Sequence, residues 1–231
     1  MSRSNNVDIK NPTTKVYTWS GSKGIFMSYD KEAKLKTELP LPIKFIALDA
    51  LSCIRGYNPK EEEGYYCNEV RDLKKEVMHV RTKKGMFIEG YYSDIKDSIP
   101  GGKYTQSVYA LVKEGDQFII VNIQLNGSSL GSWIEFRKKN QIFEGGIAVK
   151  SSIEGKTGAT VYRIPVYETV PLTPETEATA KEQDKELQKY IKAMLARNVT
   201  DAPNAEEVNT SEEVHEEPVH NGSAEVDDLP F

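Results

Sequence analysis

From residue 13 to residue 168 the chain alternates short β-rich runs with turn signals, and helical periodicity is the exception. The runs KFIALDALSCI (Lys44 to Ile54), GMFIEGYY (Gly85 to Tyr92), YTQSVYALV (Tyr104 to Val112), QFIIVNIQL (Gln117 to Leu125) and GATVYRIPVY (Gly158 to Tyr167) are rich in β-branched and aromatic residues and predict five strands. PGGK (Pro100 to Lys103), KEGD (Lys113 to Asp116) and LNGSS (Leu125 to Ser129) supply turns between them. KVYTWSG and KGIFMSYD, Lys15 to Gly21 and Lys23 to Asp30, predict a hairpin ahead of these strands.

Two segments depart from this rhythm. In Leu130 to Asn140 the spacing of Leu130, Trp133 and Ile134 suits a short helix packed on the sheet as well as it suits another strand. A second helix is better marked: Thr173 is placed to cap it, Pro174 fits its first turn, and Leu187, Tyr190, Ile191, Met194 and Leu195 recur at three and four residues up to Arg197. The resulting expectation is an all-β domain over residues 1–170, with an extra N-terminal hairpin and a short inserted helix. A C-terminal helix over 171–199 and a disordered acidic tail over 200–231 follow. The patterning suits a small barrel, a sandwich and an open sheet equally.

Charge separates these alternatives. Residues 201–231 hold ten of the 35 acidic residues and no Lys or Arg, so residues 1–200 carry 30 basic against 25 acidic residues, a net +5 beside a tail of −10. A basic body points to a polyanion ligand. The OB-fold, a small barrel that often binds single-stranded nucleic acid, is therefore the expected architecture. The chain has no run near the ~18 apolar residues of a membrane-spanning helix, and its start, MSRSNNVDIK, lacks the apolar stretch of a secretory signal, so a cytoplasmic location is expected. Two cysteines, Cys53 and Cys67, are few for a secreted disulfide scaffold and predict reduced thiols.

Signatures of catalysis are weak. EGKTG (Glu154 to Gly158) resembles the end of a phosphate loop, but Lys150 stands where the first glycine belongs; a hairpin loop bracketed by Gly155 and Gly158, with Lys156 toward solvent or a phosphate, is the better expectation. Cys53, Cys67 and His79 lack the paired spacing of a zinc knuckle. Asp49, Asp94, Asp97 and Asp116 are candidates for a nuclease cluster that no spacing ties together, and His79 is the single histidine of the body. The expectation is a protein that is not an enzyme and uses no cofactor or metal.

Aromatic residues interleaved with basic ones are the remaining signal. Trp19 and Phe26 flank Lys23; Tyr91, Tyr92 and Tyr104 lie near Lys103; Trp133 and Phe136 precede Arg137, Lys138 and Lys139; Tyr162 and Arg163 follow Lys156. Every base has a π-face to stack on while Lys and Arg replace counterions along the phosphates, so these fifteen residues are the candidate nucleic-acid contacts. Alternation in Thr160 to Ile164 places Val161 and Tyr162 on opposite faces without saying which is inward.

The chain ends VDDLPF, and Asp227, Asp228, Leu229, Pro230 and Phe231 resemble the acidic tip of bacterial single-stranded DNA-binding proteins, typically Asp-Asp-Ile-Pro-Phe, with Leu229 the one departure. The body resembles phage-encoded single-stranded DNA-binding proteins in its start (Ser2 to Pro12), in W-I-x-F-R-K-K (Trp133 to Lys139) and in G-A-T-x-Y-x-x-P-V-Y (Gly158 to Tyr167), which frame an OB-type domain. The resemblance implies coating of single-stranded DNA in replication, recombination and repair in a bacterial host, with the tip docking on partner proteins. Phe231 suits an apolar pocket and Asp227 and Asp228 a basic rim. Self-association is left open. The alternatives are a strand-annealing recombination protein and, from another class, a metal-dependent nuclease.

Overall fold

The computed structural model describes residues 9–200. In chain order the elements are β1 (Lys15–Ser20), β2 (Ile25–Asp30), β3 (Leu35–Leu39), β4 (Ile43–Asn58), β5 (Glu63–Gly64), β6 (Tyr66–Cys67), β7 (Met78–Arg81), β8 (Phe87–Gly90), α1 (Tyr92–Ile95), β9 (Gly102–Glu114), β10 (Gln117–Leu125), α2 (Gly127–Lys139), β11 (Gly146–Thr157), β12 (Thr160–Val170) and α3 (Pro174–Thr200). The fold is mainly β. Among the described residues, nine strands share one mixed sheet in the order β12-β11-β4-β9-β10-β1-β2-β3, with β5 on the far end of β4, and β6-β7-β8 form a second, small sheet. Only the β1–β10 ladder among these is parallel.

Period-2 alternation explains the two cores. Val108, Ala110 and Val112 of β9 pair across to Ile123, Val121 and Ile119 of β10, and this face receives Leu130, Trp133 and Ile134 of α2. The opposite face offers Ile46, Tyr109, Leu111 and Ile120 to Ala180, Leu187 and Ile191 of α3. Strands covered on both faces read as nearly continuous apolar runs, which is why QFIIVNIQL is so conspicuous. Leu130 to Asn140 resolves as a helix because Leu130, Trp133 and Ile134 lie on one side of it, against the sheet. At α3 the Thr173 hydroxyl accepts the Thr176 N–H at 3.2 Å, the cap expected there.

The sheet does not close into the expected small barrel: β12 and β3 are the free ends of an open path. The physical reason is the N-terminal meander. β1 adds in parallel to the edge of β10, carrying β2 and β3 outward on the edge a closing strand would take. β12 returns to this meander without a ladder, through Arg163 N–H donating to the Gly21 carbonyl at 2.7 Å and Trp19 Nε1–H donating to the Arg163 carbonyl at 2.9 Å.

Residues 59–101 are an arm inserted between β4 and β9, with its own core of Tyr65, Val70, Met78, Val80, Ile95 and Ile99 against Ile54. Where the arm leaves and rejoins the sheet, Gly56 and Gly101 cross so closely that a Cβ on Gly56 would lie 2.2 Å from the Gly101 carbonyl oxygen, and both have positive φ. Two polar clasps seat the arm. Buried Glu69 accepts from the hydroxyls of Ser107 and Tyr109. Asp49, beside a β-bulge in β4, accepts both Arg71 guanidinium nitrogens (3.0 and 2.8 Å) and Gln188 Nε2 of α3 (3.0 Å). No helix of the described residues is long and apolar enough to cross a membrane. The acidic tail, with its expected disorder, and the Asp227–Phe231 tip lie outside the described residues.

Candidate nucleic-acid interface

Several of the candidate contacts lie near the two ends of α2. At its C-terminal end, Tyr104 of β9 lies against Tyr92 of α1 with ring centroids 5.3 Å apart, and the Tyr104 and Ser52 hydroxyls share a hydrogen bond of 2.9 Å. Burial pushes the Tyr104 hydroxyl above its ordinary pKa, against the opposing pull of Ser52 and Arg137. Gln106 Oε1 accepts from Trp133 Nε1 at 2.7 Å and from Arg137 Nη1 at 3.3 Å, which ties the exposed guanidinium to β9. Lys139 is exposed, while Lys138 pairs with Glu135 at 3.0 Å. This end therefore combines partly accessible rings with the exposed Arg137.

The N-terminal end of α2 carries the second group. Trp19, half-buried, is held edge-on to Phe26 at 5.0 Å and by its hydrogen bond to Arg163. The Ser128 hydroxyl of α2 also donates to the Arg163 carbonyl, at 3.3 Å. Lys23 pairs with Glu38 at 2.6 Å and Arg163 with Glu154 at 3.7 Å, both across exposed surface where such pairs are weak and exchange readily. Ser128 and Arg137 are nine residues apart on one helix, about 13 Å at 1.5 Å per residue, so a single strand of nucleic acid can span both groups.

Several assignments require correction. Trp133 and Phe26 are fully buried, Trp133 against Phe45, Phe136 and Tyr167, and neither can stack on a base. Sequence placed them among the contacts because they neighbour cations. Alternation and the helical turn point them the other way, into the core under α2. Phe136 is half-buried over Tyr167 at 5.6 Å and is mostly core. Of the remaining residues, Tyr91 is exposed at the start of α1, and Lys103 and Lys156 are exposed on β9 and β11.

At β12 the register is settled. Val161 is exposed and Tyr162 is half-buried over Gly155, where a Cβ would come within 2.6 Å of its ring. Gly155 is thus a strand residue that makes room for a tyrosine, and the loop reduces to Gly158-Ala159, with Gly158 at φ +58°. The phosphate-loop likeness of EGKTG dissolves into this hairpin.

The other chemistry considered from sequence is dispersed. Asp49 is occupied by Arg71 and Gln188. Cys67 and Val80 pair across the inner face of the small sheet, while His79 lies on its outer face near Glu89, at 3.8 Å. Burial raises the thiol of Cys53 and pushes that of Cys67 up to about 12, so both are held protonated. Among the described residues, no three His, Cys, Asp or Glu side chains converge as a metal site. Sequence reasoning passed over the outer face of the small sheet, Tyr66, Arg81 and Phe87. Its signal was present in GMFIEGYY, but the partner strand MHVR is four residues long and was not recognised. No family model matches the chain, and neither a curated protein nor a solved structure matches it.

Proposed function

We propose that this protein binds single-stranded DNA, coating and protecting strands during phage DNA replication and recombination. The observation that carries the reading is the pairing of partly accessible rings with exposed cations at both ends of α2: Tyr92, Tyr104 and Arg137 at one, Trp19, Tyr162 and Arg163 at the other. Rings of this kind accept bases irrespective of sequence, and the cations neutralise the backbone. The net +5 of residues 1–200 supports the same ligand.

The reading takes β4, β9, β10, α2, β11 and β12 as a partly open OB-type unit. Antiparallel ladders β4–β9, β9–β10, β4–β11 and β11–β12, with a helix between the third and fourth strands, support it. The β1–β3 meander and the 59–101 arm are then additions to that unit. Asp227 to Phe231 complete the proposal as a docking tip for replication and recombination partners, and the acidic tail as a tethered competitor for the basic surface.

A titration of labelled single- and double-stranded oligonucleotides at rising salt tests it. Single strands should bind more tightly, with a log–log salt slope of about −0.7 per phosphate contacted. Equal affinity for duplex, or a flat salt response, overturns the reading, and cleavage of the labelled strand once Mg²⁺ or Mn²⁺ is added would identify a nuclease instead. Removing Leu229 to Phe231 should leave DNA affinity unchanged and abolish partner capture, whereas removing 201–231 should tighten DNA binding at low salt.

A further inference from the structure

The two free edges of the large sheet are unlike. On β12, Pro165 has no N–H to offer, the pairing with β11 shifts at a bulge between Val149 and Ser151, and the Arg163 N–H is taken by the Gly21 carbonyl at 2.7 Å. Such devices keep an edge from accepting a further strand. β3 has none of them. It pairs with β2 without a bulge from Phe26↔Leu39 to Asp30↔Leu35, contains no proline, and among the described residues has no strand on its other side. Its outward backbone N–H and C=O groups are therefore open to a ladder. Alternation puts Leu35, Thr37 and Leu39 on the side of buried Phe26 and Ser28, yet Leu35 is left 60% exposed. Lys36 and Glu38 lie on the opposite side.

We propose that β3 is a self-association edge, on which the β3 strand of a second copy of this chain pairs antiparallel about a two-fold axis at Thr37. The inference goes beyond the single-strand-binding reading and does not depend on it. The sequence L-K-T-E-L, Leu35 to Leu39, selects the occupant because it is complementary to itself when reversed. In this register Thr37 meets its own counterpart, Lys36 meets Glu38 of the second copy on both sides of the axis, and Leu35 meets Leu39. Opposite charges and apolar pairs directly across a ladder stabilise it, and like charges oppose it. Sliding either strand by two residues sets Lys36 against Lys36 or Glu38 against Glu38, and a one-residue slip turns the side chains to opposite faces, so the register is specified. Leu35 gains cover from a residue, Leu39, that itself packs against the main core. Glu38 already holds Lys23 at 2.6 Å through Oε1 across exposed surface, and its second oxygen is free to accept from Lys36 of the second copy. A two-fold contact uses the same patch on both copies and so closes at the dimer. Five residues a side make a small interface, and the association is accordingly concentration-dependent.

The test is sedimentation velocity of the full chain over a concentration series, for wild type, Lys36→Glu, Glu38→Lys and an equimolar mixture of the two variants. Both substitutions are on exposed surface, and circular dichroism confirms that each form is folded. Wild type should show a monomer–dimer equilibrium with nothing larger. Either reversal places like charges opposite each other at two positions and should weaken the dimer by roughly 5- to 30-fold. The mixture should restore it as a mixed dimer, because every Glu at these positions then faces a Lys. A wild type that stays monomeric at every concentration overturns the proposal and leaves the edge to a strand of a different protein. Dimers indifferent to both reversals, or reversals that mixing does not repair, put the contact elsewhere and overturn it. Assemblies larger than a dimer overturn it too, since they require a head-to-tail contact.

Discussion

The rings beneath α2 and the rings on the small sheet belong to the same residue types and stand beside the same kinds of cation, yet they face opposite ways. Trp133, Phe136 and Tyr167 are stacked among themselves at 5.3–6.0 Å, with Phe45 behind them. Tyr66 and Phe87 are turned to solvent, with His79 and Lys83 for company. What separates the groups is what lies on the other side of the element. The large sheet has helices on both faces, so a ring on α2 or β12 has a core to enter. The small sheet spends its single buried face on Met78, Val80 and Ile88, and every second residue must look outward. A cation next in sequence to an aromatic therefore says little, because neighbours in a strand point to opposite faces.

The largest expected effect breaks the buried side of this comparison. Trp133→Ala removes a fully buried indole and its hydrogen bond to Gln106, and should cost about 3–5 kcal/mol in denaturant unfolding. Under conditions where the variant remains folded, its strand affinity should equal that of wild type. A selective loss of affinity with stability unchanged would return Trp133 to the list of contacts.

A smaller effect is expected at the clasp that holds the arm to the body. Asp49→Ala releases the Arg71 guanidinium and Gln188 together, uncoupling β4 from the arm and from α3. Arg71 is about half exposed and regains water, so the cost should be roughly 2 kcal/mol. Limited proteolysis should then cut α3 and the 59–101 arm faster than the sheet. Unchanged cutting would mean that the apolar contacts of each suffice.

Alkaline pH attacks the buried rings without mutation. Burial raises the hydroxyls of Tyr17, Tyr109 and Tyr167 above their ordinary value of 10.0. A raised folded pKa means that the neutral phenol is the form the fold stabilises. That stability is complete below the unfolded value and is lost as pH rises through the folded ones, at up to about 1.4 kcal/mol per pH unit for each group. Phenolate absorbance from these three should appear together with loss of the circular dichroism signal. If it appears while the fold is intact, these tyrosines are accessible.

Much of the sheet was legible in the sequence, for reasons that also explain the gaps. β4, β9, β10 and the β1–β2 hairpin were readable because burial makes their apolar runs dense and their turns carry Gly, Asp and Asn. β11 was legible only as the flank of a hairpin loop at Gly155 to Gly158, and its extent was not, because only Gly146–Val149 are buried while Lys150–Thr157 are mostly exposed with Gly155 in mid-strand. β3, with Lys36 and Glu38 on an open edge, reads as a loop for the same reason. The short strands β6 and β7 fall below the length at which period 2 can be recognised. Legibility of the site was poorer. Sequence recorded the rings and the cations, but exposure depends on whether a second layer covers an element, and that is decided by residues far along the chain.

The smallest expected effect concerns the exposed side. Phe87→Ala removes a ring that faces solvent and touches His79 by one contact, so the stability of the chain should change by no more than about 0.5 kcal/mol. Set beside Trp133→Ala, the two substitutions should form a contrast: one lowers stability by several kcal/mol, on the order of a full buried ring, and the other leaves it nearly unchanged. Unfolding curves on the two preparations decide it. Should Phe87→Ala destabilise the fold as much as a core substitution does, the outer face of the small sheet would be a packed surface that something in the intact protein covers. The contrast between the two regions would then collapse, because both sets of rings would be serving a core.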